Sequence, residues 1–189
     1  NSQVSEFNYK PNVDLDEILE SMALPQLMEF EYQGIPLGEL VLPSIRWILR
    51  RHRLHDDQYT LDLFKNYLKS AWSLAGQFEK LLEENQPQAV VVFNGMQYPE
   101  ATARWLARRR AIRVISHEVG MQPLSAYFTD GDATAYDLNI PKDFQLDTLQ
   151  NEKLDAYLTA RFKGDFHMAG VQFWPEMSQL SPEFLQLAK

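Results

Sequence analysis

At 189 residues, with 45% hydrophobic and 12% aromatic against 23% charged residues, the chain has the length of one domain on a scale of roughly 100–200 residues each, and a globular composition. No apolar run reaches the roughly 20 residues that span a bilayer, nothing at the amino terminus reads as a secretion signal, and zero cysteines exclude disulfides, thiol nucleophiles and thiolate metal sites. A net charge of −8, from 18 Lys+Arg and 26 Asp+Glu, argues against binding nucleic acid through its phosphates.

The polar stretch Asn1 to Asp14 leads into a short helical pattern through Ile18, Leu19 and Met22, ahead of Pro25. Phe30-Glu31-Tyr32 and Ile35-Pro36-Leu37, parted by Gln33-Gly34, predict a small hairpin. Val41, Ile45, Ile48 and Leu49 recur at helical spacing, and Pro43 fits that helix only in its first turn. Asp56-Asp57 is an N-cap signal for a long helix whose stripe runs through Leu61, Phe64, Leu68, Ala71, Leu74/Ala75, Phe78 and Leu81/Leu82, with Asn85 and Pro87 stopping it.

The run Ala89-Val90-Val91-Val92-Phe93 predicts a central strand buried on both faces. Asn94-Gly95 breaks it, Pro99 opens a helix through Ala101, Trp105 and Leu106, and Ile112-Arg113-Val114-Ile115 resumes strand character, which makes a βαβ unit with two parallel strands. Beyond Gly120 comes a short apolar stretch, Ala126-Tyr127-Phe128, then Asp130-Gly131-Asp132 and a polar connection to Pro141. A last helix spans roughly Thr148 to Phe162, with Leu154, Tyr157/Leu158 and Phe162 inside and Gly164 as its cap.

Half of the basic residues fall in two windows free of acids, Arg46, Arg50, Arg51, Arg53 and Arg104, Arg108, Arg109, Arg110, Arg113. Such patches suit an anionic ligand or a negatively charged membrane surface, or simply complement the dipole at helix ends. His52 and His55 beside Asp56 and Asp57 have metal-like spacing but sit among arginines that repel a cation, so no metal is expected. Among the tryptophans, Trp47, Trp72 and Trp105 lie on apolar helix stripes and are read as core, which leaves Trp174 for a surface role.

Ligands of open α/β sheets bind outside the carboxyl ends of the strands. Two loops qualify, Asn94-Gly95-Met96-Gln97-Tyr98 and His117-Glu118-Val119-Gly120-Met121-Gln122. Parallel, adjacent strands would bring Asn94, His117 and Glu118 to one rim, where Gly95 lets a ligand approach the backbone and the helix starting near Pro99 offers free N–H groups. Glu118 or His117 is suited to take a proton from an attacking hydroxyl, although Asn-Gly is a common turn pair and His-Glu alone is a short signal. No phosphate-binding Gly-rich loop with a Lys, no G-x-S-x-G and no H-E-x-x-H occurs.

The run Val90-Val91-Val92-Phe93-Asn94-Gly95, a helix with Ala101 and Arg104, Ile112 to Ile115 and His117-Glu118-Val119-Gly120 together resemble the amino-terminal domain of bacterial capsule and surface-polysaccharide glycosyltransferases with two Rossmann domains (GT-B type). Leu24-Pro25-Gln26, Pro43-Ser44-Ile45-Arg46-Trp47 and Leu158-Thr159-Ala160-Arg161-Phe162-Lys163-Gly164 are similar to the same group. The resemblance implies an α/β fold, a Rossmann-like three-layer domain with a mostly parallel sheet, forming one half of a GT-B architecture. It assigns residues 1–23 to an extension, 24–165 to the acceptor-side domain and 166–189 to a segment leading toward a second domain. It further implies a cytoplasmic, metal-independent transferase, without cofactor and peripheral to the inner membrane face, that moves a sugar from a nucleotide-sugar donor to a saccharide acceptor. Glu118 is then the catalytic base, with His117 the alternative, and Asn94, Gly95, Gln97, Tyr98, Gly120 and Gln122 line the acceptor site.

The chain departs from that family in having no clear first strand with a glycine-rich turn before residue 24 and no second α/β domain after residue 165. Together with a start at Asn1 rather than Met, this leads us to expect the acceptor-side half of a longer protein, inactive by itself because transfer needs a cleft that excludes water. Two other readings compete: a non-catalytic α/β module binding a nucleotide, sugar or protein, and a small hydrolase using His117 and Glu118.

Overall fold

The computed structural model describes residues 4–120, 124–135, 139–162, 167–168 and 171–172. The chain divides into two compact units, Asn1–Glu118 with Phe128–Ala135, and Val119–Tyr127 with Tyr136–Lys189.

In the first unit, α1 (Val13–Glu20) starts where the Asn12 side chain accepts the Leu15 N–H at 3.1 Å, and it buries Leu15 and Leu19. α2 (Leu24–Met28) carries Pro25 in its first turn, where no N–H is needed. The expected hairpin is a single bridge, Tyr32 to Ile35, turned by Gln33 (φ 50°) and Gly34 (φ 75°). It ends there because the chain passes at once into α3 (Leu37–Leu49). Pro43 sits inside α3 rather than in its first turn. The N–H it lacks leaves the Glu39 carbonyl without its helical donor, which is tolerable because Glu39 is exposed to water.

α4 (Gln58–Asn85) is the spine of this unit. The Asp57 carboxylate accepts the Thr60 N–H at 2.8 Å, and Phe64, Leu68, Ala71, Ala75 and Leu82 bury the expected stripe against α1–α3. The helix stops at Asn85, with Gln86 in the left-handed region (φ 43°).

The βαβ unit is present. β1 (Ala89–Phe93) and β2 (Arg113–Val119) pair in parallel from Ala89 opposite Arg113 to Phe93 opposite His117, and α5 (Tyr98–Arg109) makes the crossover. With β3 (Ala126–Thr129) they form a mixed three-stranded sheet in the order β1-β2-β3. Two expectations for β1 are corrected. Among the described residues it is an edge strand, not a central one, and only one face is covered: Val92 is 6% exposed, whereas Val91 and Phe93 are 59% and 48% exposed. Val92 and Val114 pack with Ala103 and Ala107 of α5 and with Phe78 of α4, so the covered face is the helical one. β2 also runs further than expected, which places His117 and Glu118 in the strand rather than in a loop.

In the second unit, the Gly120 N–H donates to the Ser125 carbonyl at 2.9 Å. α6 (Thr148–Phe162) opens with a reciprocal cap, Gln150 N–H to the Asp147 carboxylate at 2.8 Å and Asp147 N–H to the Gln150 side chain at 2.9 Å. Of its expected buried face, Leu154 and Leu158 are exposed, and the Phe162 side chain lies outside the described residues. β4 (His167–Met168) and β5 (Val171–Gln172) pair antiparallel. Gln122, Gly164 and Trp174 lie outside the described residues.

Candidate functional site

Parallel pairing delivers the ends of β1 and β2 to one rim, and there the side chains of Asn94 and Glu118 meet. Asn94 Nδ2 donates to Glu118 Oε2 at 2.8 Å, and the Asn94 N–H donates to the His117 carbonyl at 2.6 Å. Asn94 holds φ 62° and Gly95 φ 83°, a consecutive left-handed pair that Asn and Gly adopt most readily. The Asn94 carbonyl oxygen Oδ1 accepts the Met96 N–H at 3.1 Å, closing an Asx turn. Gly95 is needed on a second count: a Cβ there would lie 2.9 Å from Ser116 Oγ on the neighbouring strand.

The rest of the loop is tied down by groups that sequence reading passed over. Arg104 Nη1 donates to the Gly95 carbonyl at 3.2 Å and forms an ion pair with Asp132. Ser44 of α3, only 3% exposed, donates to the Gln97 side chain at 2.8 Å and accepts the Tyr98 N–H at 2.8 Å. A hydroxyl on the apolar face of α3, at 41, 44 and 45, was the available signal. It also overturns one expectation. Tyr98 spends its amide on Ser44, Pro99 has none and Glu100 adds negative charge to the first turn, so the start of α5 does not offer an open set of N–H groups to an anion.

Strand alternation separates the two candidate bases. Glu118 falls on the face shared by Val114 and Ser116, whereas the His117 ring sits between Phe93 (5.3 Å between centroids) and Phe128 (5.7 Å) on the other face. The two side chains therefore do not act on one atom, which removes the geometric basis for the hydrolase reading. Gln97 is occupied with Ser44. Tyr98 turns toward α4, stacking edge-on against Tyr67 at 4.9 Å; burial, with Tyr98 beside it, pushes the Tyr67 phenol above its ordinary pKa. Gly120 lies on the second unit directly after β2, where a Cβ would collide with Ser125. Of the expected site residues, the structure thus brings Asn94 and Gly95 of the acceptor set together with the expected base Glu118, and gives Gln97 and Tyr98 other partners.

Beside Gly95 opens a cleft of 360 Å³ between α3 and α5, lined by Pro43, Met96, Trp105, Arg104, Arg108 and Asp132 among others. That volume lies at the lower end of small-ligand sites, which run from roughly 300 Å³ upward. The second arginine window borders this cleft but is balanced within the chain. Arg108 donates to the Asp130 carbonyl, Arg113 pairs with Asp130, Arg110 with Glu83 and Glu79, and Arg109 lies over the Trp105 ring. Arg108 and Arg109 occupy the last turn of α5, where they also complement its dipole.

The first window behaves differently. Only Arg46 lies in the last turn of α3; Arg50 is its left-handed cap (φ 53°), and Arg51 and Arg53 follow the helix. Trp47, expected in the core, is 57% exposed, with the Arg50 guanidinium 4.7 Å from its ring centroid. His55 Nδ1 is taken by Arg51 at 3.3 Å. Among the described residues no three His, Asp or Glu side chains gather as a metal site, and no helix is long and apolar enough to cross a membrane. Searches against protein-family models, curated proteins and solved structures give no match to this chain.

Proposed function

We propose that this chain is the Rossmann-like, acceptor-side half of a cytoplasmic, metal-independent glycosyltransferase of surface-polysaccharide biosynthesis, with Glu118 as the base. The observation that carries the reading is the 2.8 Å contact from Asn94 Nδ2 to Glu118 Oε2 at the carboxyl ends of two parallel strands, where open α/β sheets hold their ligands. The acceptor hydroxyl donates its hydrogen bond to the Glu118 carboxylate. As the acceptor oxygen bonds to the anomeric carbon of the donor, the bond from that carbon to the nucleotide phosphate breaks, the nucleotide leaves with the electron pair, and the proton passes to Glu118. Asn94 acts as a positioning residue that fixes the carboxylate, and the cleft beside Gly95 is wide enough to seat a saccharide ring. A donor-binding domain completes the site by shutting out water.

The test uses a protein that carries this chain together with its donor-binding domain. Glu118→Gln lowers kcat for transfer by about 10²–10⁴-fold, the usual worth of a positioned base, and leaves the acceptor KM within about threefold. Full activity of that variant overturns the base assignment, and substantial transfer by the 189-residue chain alone overturns the half-enzyme reading. The competing reading, a non-catalytic binding module, is favoured by the same contact: a carboxylate held by Asn94 also serves to close the loop. On that reading Glu118→Gln affects loop stability and saccharide binding, with no transfer to lose.

A further inference from the structure

We propose that the end of α3 and the segment after it, Arg46 to Arg53, dock this chain onto an anionic membrane surface, with Trp47 and Ile48 entering the headgroup layer. The inference does not rest on the transferase reading. It begins from a contrast within the chain. In the second window Arg104, Arg110 and Arg113 pair with carboxylates, Arg108 donates to the Asp130 carbonyl and Arg109 lies over Trp105, whereas among the described residues Arg46, Arg50 and Arg53 meet no carboxylate, Arg50 lying over Trp47, and the one carboxylate near Arg51 is Asp57, at 3.9 Å. These four cations occur within eight residues that contain no acid, in a chain whose net charge is −8. On a chain with that net charge, a run of cations free of acids also favours one orientation toward an anionic bilayer.

Charge alone would suit any polyanion, and the apolar side chains decide between them. Helical periodicity puts Ile48 on the buried stripe of α3, yet Ile48 is 39% exposed and Trp47 beside it 57% exposed. Arg46, Trp47, Arg50, Arg51 and His52 line one shallow depression of 330 Å³. A tryptophan flanked by an aliphatic residue and ringed by arginines is the composition of an interfacial anchor: the indole prefers the headgroup level, while guanidinium groups reach lipid phosphates from apolar stems. A nucleic-acid or phosphate site has no use for an exposed isoleucine. Among the described residues no helix offers an alternative mode of attachment by spanning the bilayer.

The experiment is co-sedimentation of the 189-residue chain with vesicles of phosphatidylcholine alone or with about one third phosphatidylglycerol, across a salt series. Binding is expected only to the anionic vesicles and is expected to weaken with salt. At about fivefold in affinity per arginine near such a surface, Arg50→Glu/Arg53→Glu weakens binding by at least about 25-fold. Neither arginine has a carboxylate partner to lose, so the fold is retained, and Lys142→Glu/Lys153→Glu, two exposed cations elsewhere, controls for net charge. Trp47→Ala weakens binding to vesicles and abolishes the vesicle-induced blue shift in tryptophan emission. Absence of binding to anionic vesicles at low salt, equal binding to neutral ones, or wild-type binding by either the charge-reversed or the Trp47→Ala variant overturns the proposal. So does a short DNA duplex bound as tightly as the vesicles and indifferent to Trp47, which would make the window a general polyanion site.

Discussion

Two helical glycines, Gly38 and Gly76, should respond to the same substitution in opposite directions. A Cβ built on Gly38 in α3 would lie 2.4 Å from the Leu27 carbonyl oxygen, 2.5 Å from that of Met28 and 2.7 Å from the Met28 carbonyl carbon. A methyl carbon needs about 3.5 Å, so the end of α2 must retreat by about 1 Å. The atoms in the way are backbone, which cannot swing aside, and they carry Leu27, which is 0% exposed. The retreat also disturbs the 2.9 Å bond from the Gly38 N–H to the Phe30 carbonyl. Overpacking costs roughly 1–3 kcal/mol and a hydrogen bond about 1 kcal/mol, offset by about 1 kcal/mol from the helix preference of alanine, for a net loss of about 1–3 kcal/mol in Gly38→Ala. Gly76, in the middle of α4, is exposed and has nothing within 4 Å of its Cβ position. Gly76→Ala should therefore stabilise by about 0.5–1 kcal/mol. Urea unfolding followed by far-ultraviolet circular dichroism, with the slope unchanged, should separate the two variants by about 3 kcal/mol, on the sum of those terms. Equal or greater stability of Gly38→Ala relative to wild type would refute the close approach of α2 to α3.

Gly95→Ala should cost about 2 kcal/mol, from the left-handed φ of 83° and the 2.9 Å approach to Ser116 Oγ. Pairing it with Ser116→Ala should recover the steric share but not the backbone share, a non-additivity read from a double-mutant cycle; strict additivity would place Ser116 elsewhere. The Asp57 carboxyl titrates below its ordinary value because it accepts hydrogen bonds from Thr60, with Arg51 and His55 nearby. Its contribution is therefore present above the unfolded pKa and lost as pH falls through the lower, folded one. Asp57→Asn, which keeps the cap but cannot titrate, should show a shallower fall in stability on acidification below about pH 4 than wild type, and a parallel fall would sink the assignment.

The elements that sequence reading placed correctly are those whose signals are local. The Asp57 cap and the 3.6-residue stripe define α4 without reference to anything else, and Asn94-Gly95 between a β-branched run and a helix defines the βαβ turn. The misses all depend on what lies across from a residue. Ala-Val-Val-Val-Phe reads the same whether one face is covered or two, so nothing in β1 itself announces an exposed Val91. Periodicity assigns both Ile48 and Leu49 to the core, but only Leu49 packs against the helical cluster and Ile48 stays exposed. Pro43 was expected in the first turn because an interior proline strands a carbonyl, and only the exposure of Glu39 shows that water can take it. At the site, adjacency of Asn94 and Glu118 followed from parallel pairing, which is topology. The tether from Ser44, more than 50 residues away in sequence, and the division of His117 from Glu118 by the extra length of β2 did not.

The apolar side chains are unevenly shared. Among the described residues sixteen buried side chains gather in the helical cluster, with Phe64, Leu68 and Val41 at 0% exposure, whereas the sheet rests on Val92, Ala103, Ala107 and Val114, linked to the larger cluster through Phe78, Val90 and Ile112. Local opening follows such distributions. The β1–β2 ladder should therefore exchange its amide hydrogens by sub-global opening while α4 still holds, and the Asn94–Glu118 rim belongs to the part that loosens first. A ligand seated there can draw on that softer layer for adjustment without disturbing the helical body that carries it.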